Sequence, residues 1–591
     1  MNPAEETPLR MDRLGRIPNY DKSPVVAGAG ECLVGWDKIA AQIRSADARR
    51  VIIESYTGVR REDLRKLAEM LGAGRIVDSA GVFLPEQQID EIVAPDVTDD
   101  PVFGFITRLE IDALLDPGLV ADLREEISKE PGSVVVYGTG ASLLCDEGLL
   151  VYADMPRWEE QLRQRRKEVA NLGSSNFEER PGLKYKRSFF VDWRICDRLK
   201  RKLWGRMDYV LDTTDRSSPK VIKAPDMFNA LSRAARRPFR VVPFFDPAPW
   251  GGQWMKEVCD LDRDVGNFGW CFDCVPEENS LLLGFGENRF EIPSINLVFR
   301  EPKALLGEAV YGRFGDEFPI RFDFLDTMDG GNLSLQVHPL TQYIQEQFGM
   351  HYTQDESYYL LDAGEDASVY LGVQEGIDGA AMIEDLYRAE AGEFRFPDEK
   401  YINRFPARRH DHFLIPAGTI HCSGANSLVL EISATPFIFT FKLWDWDRLG
   451  LDGRPRPLHV DHGANSIQWD RDNSYAKSRL INRIETVAEG DGWVEERTGL
   501  HEAEFIETRR HWFTGSTPHD GGDGVNVLNL VSGEEAVVTS PDQAFEPMVV
   551  HYAETFIVPA AAGPYRVTPH GRGSGTRCAT IKASVRGVRG E

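Results

Sequence analysis

A chain of 591 residues, 42% of them apolar, is too long for a single hydrophobic core and ordinary enough in composition to be globular, so several domains are expected. Its 94 acidic against 68 basic residues leave a formal net charge of -26, which repels nucleic-acid backbones and anionic membrane surfaces and argues against both as partners. Eight cysteines are too few for a disulfide framework, no run approaches the ~20 apolar residues of a bilayer span, and Met1 to Tyr20 is charged without an apolar signal core, so a cytoplasmic protein is expected.

Residues 1–235 read as an α/β domain. Arg50-Val51-Ile52-Ile53-Glu54 has the pattern of a buried strand and is followed by Thr57-Gly58 and a helical stretch, Arg61 to Leu71. Ser133-Val134-Val135-Val136-Tyr137 is a second strand, ending in Gly138-Thr139-Gly140-Ala141, and Leu149 to Asp154 is a third, ahead of a charged helix from Trp158 to Val169. Buried strands alternating with amphipathic helices predict a parallel sheet. The run Tyr152-Ala153-Asp154-Met155-Pro156-Arg157-Trp158-Glu159, with Arg163, Arg165 and Arg166 after it, loosely resembles the strand and lid region of P-loop nucleotide and nucleoside kinases. The phosphate loop is missing: there is no GxxxxGK[ST], and the turn Tyr56-Thr57-Gly58-Val59 has no lysine, although its amides at a helix start could bind an anion. The expectation is a degenerate kinase-like module, structural or regulatory. Residues 175–235 are basic, with Lys184, Lys186, Arg187, Arg194, Arg198, Lys200, Arg201 and Lys202, and read either as an interdomain or phosphate surface or as a solvated helix face.

From Phe239 the pattern changes to short strands between turns rich in Gly, Pro, Asp and Asn, as in a jelly-roll. Residues 236–490 form one such domain with a helical insertion near 340–355, and 491–591 a second all-β unit. Cys271 and Cys274 make one CxxC with no second pair at zinc-ribbon spacing, and read as ordinary thiols. All 12 histidines lie at or after His338, so imidazole chemistry belongs to this half. Within Leu333-Ser334-Leu335-Gln336-Val337-His338-Pro339, Gln336 and His338 are two apart and share one face of a strand. Glu356 and His421 each adjoin a strand-like run. Two imidazoles, a carboxylate and an amide oxygen can hold one divalent cation and leave positions open for a substrate.

These residues carry a resemblance. Leu-Ser-Leu-Gln-Val-His-Pro is similar to the signature of the class I mannose-6-phosphate isomerases, a cupin family, and further matches follow in order. They are Trp250-Gly251-Gly252, Ala304 to Gly307, Phe318-Pro319-Ile320 and Phe324-Leu325-Asp326. Then come Asp355 to Tyr359, Pro416 to His421, Leu428 to Ile432 and Trp444 to Arg448. The resemblance spans residues 240–570 and implies two double-stranded β-helix domains. It implies interconversion of mannose 6-phosphate and fructose 6-phosphate, or of a related sugar, through an enediol. The metal ligands it implies are Gln336, His338, Glu356 and His421, with zinc as the usual ion; manganese, iron, cobalt or nickel also suit such a shell. Ser334 matches too, and with Gln354 is expected to meet the substrate. Glu554 to Ala560 resembles the family's second cupin, which here lacks a paired His-x-His or Gln-x-His and reads as metal-free. The tail after Gly571, basic and Gly-rich, is expected to be poorly ordered.

Three positions depart from the family. Gln354 stands where a lysine is usual, the aspartate after the strand of Leu430-Glu431-Ile432 is gone, and Lys442 stands near the place of an arginine, keeping charge but losing the bidentate fork. Lys442 is expected to steady the enediolate, and Glu431, His412 and His351 are candidate bases. A non-catalytic, sugar-binding regulatory protein is the alternative, and an N-terminal kinase feeding the isomerase a third. Self-association is compatible with the sequence.

Overall fold

The computed structural model describes residues 11–499, 504–522 and 524–587. Seven strands of the N-terminal part form one sheet. Their order is Leu33–Val34, Lys220–Lys223, Tyr209–Asp212, Leu149–Asp154, Arg50–Ser55, Val134–Gly138 and Arg75–Asp78. The last five are parallel, and the first two are added antiparallel. Both faces of the parallel strands are covered, which is why Val134–Gly138 is buried at every position. Arg50–Ser55 is the central strand, and the turn after it enters the helix Arg61–Leu71.

That turn gives the kinase resemblance no support. The Glu160 carboxyl is pressed into it, accepting from Thr57 Oγ1 at 3.1 Å and from Trp193 Nε1 at 2.8 Å. A Cβ on Gly58 would stand 2.6 Å from Glu160 Cγ. A phosphate lying in the loop would meet this carboxyl. Most of the basic segment bonds within the N-terminal part, where Lys184, Lys186 and Arg198 donate to backbone carbonyls, and Lys200 and Arg201 reach the residues that follow. Lys200 Nζ donates to Asp154 at 2.8 Å and to Asn296 of the following domain at 2.9 Å, and Arg157 Nη1 donates to the Glu277 carbonyl at 2.8 Å.

The central part is a barrel of two facing antiparallel sheets. One runs His412–Ile415, Glu356–Ala363, Ser427–Ser433, Arg321–Asp326, Trp270–Cys274, Phe244–Asp246; the other runs Ile402–Pro406, Ser368–Val373, His421–Ser423, Leu335–Val337, Phe441–Trp444. The helix Thr341–Phe348 fills the expected insertion. A second barrel follows, with a six-stranded sheet that begins at Glu485–Gly490, upstream of residue 491, and a four-stranded sheet. The described part of the tail, up to residue 587, is not loose. Cys578–Val585 is a strand between Ile506–Phe513 and Asn526–Ser532 buried on both faces, with Cys578 in the second barrel's own apolar cluster and Ala579, Ile581, Ala583 and Val585 in the large cluster shared with the rest of the protein. Among the described residues no helix is long and apolar enough to cross a membrane.

Candidate metal centre and substrate cavity

Three neighbouring strands bring the first donors together. Gln336 is in register with His421 on one side and with Lys442 on the other, so all three side chains leave the sheet on the same face. His338 follows two residues after Gln336. Glu356 comes from the facing sheet, where it pairs with Ser433. The His421 Nε2 to Glu356 Oε1 distance is 2.8 Å and the His338 Nε2 to Glu356 Oε2 distance is 3.1 Å. Each imidazole is oriented through its other nitrogen: His338 Nδ1 meets the Phe439 carbonyl at 2.8 Å and His421 Nδ1 the Thr419 carbonyl at 2.9 Å. Such backbone contacts fix the tautomer and point Nε2 at the ion.

The donor set fits a divalent cation. The ligand atoms of His338, Glu356 and His421 lie within 4.8 Å of one another, and all three residues are buried. His338 Nε2 and Glu356 Oε1 have no conventional hydrogen-bond partner. Burial works against charge on Glu356, yet His338 and His421 outweigh it and hold the carboxyl below the usual range, as an anionic ligand requires. The Gln336 amide lies 3.2 Å from His421 Nε2, and turning it over presents Oε1 to the same point.

A cavity of about 180 Å³ opens beside this cluster. Ser334, Gln336, Gln354, Glu431, Lys442 and Arg456 supply its polar wall, and Trp250, Trp270 and Phe437 its aromatic one. Ser334, expected to meet a substrate directly, donates to Asp445 at 2.8 Å and accepts from Arg456 Nη1 at 2.9 Å. Gln354 donates to Glu356 at 3.2 Å and to Glu431 at 3.4 Å. Burial, then the Glu356 and Asp323 carboxylates, drive the Glu431 carboxyl well above its usual range, so it carries its proton. Lys442 is brought down to about 7 by burial and by Arg456.

Two candidate bases lie elsewhere. His412 is buried against Gly499 of the second barrel, and His351 is exposed; neither lines the cavity. Sequence reasoning missed Arg456, which sits in the turn-like run Arg454-Pro455-Arg456 with no periodic signal. It also missed Val102 and Tyr185, which reach the cavity from the N-terminal domain. Tyr185 donates to Glu278 at 2.9 Å and stacks on Phe437 at 5.9 Å. Phe103 stacks on Phe439, the residue that orients His338, at 5.0 Å and 17°. No sequence period links residues so far apart.

A two-sheet β-barrel with a His–His–Glu cluster on its inner wall is a cupin-like barrel with a candidate metal site. Mannose-6-phosphate isomerase ManA of Bacillus subtilis is 30% identical over 155 residues, 26% of this chain and 45% of that protein. Mannose-6-phosphate isomerase of Streptococcus mutans is 26% identical over 221 residues, 37% of this chain and 64% of that protein. YvyI of Bacillus subtilis, named for the same activity, is 23% identical over 273 residues, 46% of this chain and 75% of that protein. The crystal structure of the Bacillus subtilis mannose 6-phosphate isomerase covers 59% of this chain and 100% of its own, with TM-score 0.48 and 20% identity. Residues 35–236 match a domain of unknown function, DUF8485. The curated relatives are thus mannose-6-phosphate isomerases, the family that the sequence resembles.

Proposed function

We propose that the chain is a cytoplasmic, metal-dependent aldose–ketose isomerase that interconverts mannose 6-phosphate and fructose 6-phosphate or a closely related sugar. The observation that carries this reading is the His338–Glu356–His421 cluster with Gln336, open to a cavity that also holds Lys442 and Glu431. The ion they would hold, with zinc the first candidate, polarises substrate oxygens and lowers the energy of developing negative charge. The isomerisation moves one proton between adjacent sugar carbons and one between their oxygens, with no outside oxidant. Glu431, protonated, offers an Oε–H to a substrate oxygen. Lys442 lies near neutrality, where amine and ammonium coexist, and so suits a group that takes a carbon-bound proton at Nζ and returns it. Its ammonium form also steadies the enediolate. Arg456 and Ser334 bind hydroxyl or phosphate oxygens, and the aromatic wall excludes water.

The cavity falls below the ~300 Å³ of ordinary ligand pockets. Tyr185 and Val102 therefore act as a size filter, and the N-terminal domain serves as a wall of the site, with the kinase likeness an expression of its parallel sheet. The test is isomerase activity of the metal-loaded protein on mannose 6-phosphate, with free mannose and glucose 6-phosphate in parallel. Activity lost with chelator and in His421→Ala supports the reading. Metal and sugar binding without turnover of any of these sugars would establish the regulatory alternative, which the altered positions at Gln354 and Lys442 favour.

A further inference from the structure

A cavity of about 500 Å³ lies in the N-terminal domain, at the carboxyl ends of the parallel strands Arg50–Ser55, Arg75–Asp78 and Val134–Gly138. The chain parts at this edge. The helix Arg61–Leu71, which follows Arg50–Ser55, buries Leu64, Leu67 and Ala68 with Val51, Ile53 and Val135 on one face of the sheet. The segment Ala141–Leu144, which follows the neighbouring strand Val134–Gly138, buries Ala141 and Leu144 with Ile52, Val134 and Val136 on the other. Adjacent parallel strands whose connections leave to opposite faces open a crevice beyond their carboxyl ends, where open α/β sheets bind ligands. The volume falls within the ~300–1,000 Å³ of ordinary ligand pockets.

The strand ends present hydroxyls to this space. Ser55 Oγ and Thr139 Oγ1 lie 3.1 Å apart, and Ser79 Oγ donates to the Thr139 carbonyl at 2.9 Å. The irregular segment 168–177 supplies much of the remaining wall, and hydrogen bonds made elsewhere hold it in place: Asn171 Nδ2 donates to Asp192 at 2.7 Å and Ser174 Oγ to Glu86 at 2.6 Å. Phe83 and Phe177 line the cavity, and Phe177 is 42% exposed, a large apolar ring that folding leaves uncovered. Five charged residues line it as well, and each is matched within the protein. Arg60 Nε donates to Glu168 at 2.9 Å, Arg61 Nε to Asp78 at 2.6 Å, and Arg216 Nη2 to Glu62 at 3.4 Å. No cation is left over to balance a phosphate, so an entering ion would have to break a pair. Matched pairs still keep N–H groups and lone pairs to spare, which hydroxyl groups can use without adding charge.

We propose that this cavity is a second ligand site, which takes an uncharged small molecule made of a hydroxyl-bearing ring with one apolar face. Ser55, Ser79 and Thr139, with Asp78 and Arg61 beside them, exchange hydrogen bonds with its hydroxyls, and Phe83 and Phe177 cover its apolar face. Free sugars and nucleosides share this chemistry, and the test separates them. The site lies in a different domain from the metal centre and does not depend on the isomerase reading.

The test is calorimetric titration of the full chain with mannose, glucose, adenosine and uridine, and with inorganic phosphate as a charged probe. The variants are Ala80→Trp, which fills the cavity, Phe177→Ser, which removes its uncovered ring, and, as a control at the first cavity, Arg456→Ser. Ala80 and Phe177 are both exposed, so neither substitution removes part of a core. At least one uncharged probe is expected to bind with a dissociation constant below about 1 mM. Its affinity is expected to fall by about tenfold or more in Ala80→Trp and in Phe177→Ser, and to stay unchanged in Arg456→Ser. Binding of sugars alone or of nucleosides alone assigns the ligand's class, and binding of both supports the shared chemistry. No binding of any uncharged probe, unchanged affinity in Ala80→Trp or in Phe177→Ser, or phosphate binding that Ala80→Trp abolishes overturns the proposal.

Discussion

Phe103 tests how the N-terminal domain acts on the metal centre. It is 1% exposed and stacks on Phe439, with Phe348, Phe441 and His459 within 5.4 Å of its ring centre. Phe103→Ala should destabilise the protein by about 3–5 kcal/mol, the transfer and cavity terms of a buried phenylalanine. The more specific consequence runs through Phe439, whose carbonyl orients His338 at 2.8 Å. Groups that orient a ligating histidine are worth about 10–100-fold in metal affinity, or about 1.4–2.8 kcal/mol. Competition titration of zinc or cobalt against a chromogenic chelator, alongside a thermal melt, measures both effects. Phe103→Leu, which keeps most of the volume, should recover most of the affinity. If Phe103→Ala lowers the melting temperature while metal affinity stays within about twofold of wild type, the barrel alone holds Phe439 and the argument fails.

Lys442→Arg keeps the charge but removes a group able to exchange protons near neutral pH, so kcat should fall about 10²–10⁴-fold in both Lys442→Arg and Lys442→Met; full activity in the arginine variant would restrict Lys442 to an electrostatic role. Tyr185→Ala should enlarge the cavity, raising kcat/KM for bulkier sugars relative to the preferred one; an unchanged substrate ranking would remove Tyr185 as a size filter. His412 contributes to the loss of stability in acid, as His410 and His519, likewise depressed by burial, also do. The His412 ring is buried without hydrogen bonds, and burial, then Arg510, lowers it from 6.5 to about 3. The unfolded chain therefore takes the proton first, and stability contributed above about pH 6.5 is lost as pH falls towards 3. At pH 5 the loss is about 2 kcal/mol, from 1.5 units at 1.36 kcal/mol each. His412→Leu should reduce the slope of denaturation free energy between pH 6.5 and 4 by about one proton's share, and a slope equal to that of the wild type would count against this assignment.

Much of the site was legible because strand periodicity is local. The two-residue spacing of Gln336 and His338 placed both on one face, and the hydrophobic runs beside Glu356 and His421 marked them as strand-borne. The same periodicity signalled the parallel sheet through Val51–Ile53 and Val134–Val136. It could not separate His412 from a catalytic base, since a histidine on a strand looks alike whether it faces a cavity or a neighbouring barrel. The tail after Gly571 misled for a related reason. Its glycines and arginines suggested a loose end, whereas Cys578–Val585 is held by strands more than forty residues away, a pairing that local composition does not encode.

By itself, then, the sequence pointed to the class of element along most of the chain and to the candidate metal donors, because both rest on residue type and short-range spacing. Tertiary structure alone decided what surrounds those donors. Arg456 reached the cavity from an irregular segment, and Tyr185 and Val102 reached it from another domain. The ends of three parallel strands met the segment 168–177 around the cavity of the N-terminal domain. Such encounters follow from the packing of sheets against one another, where the separation that matters is through space and bears no fixed relation to separation along the chain.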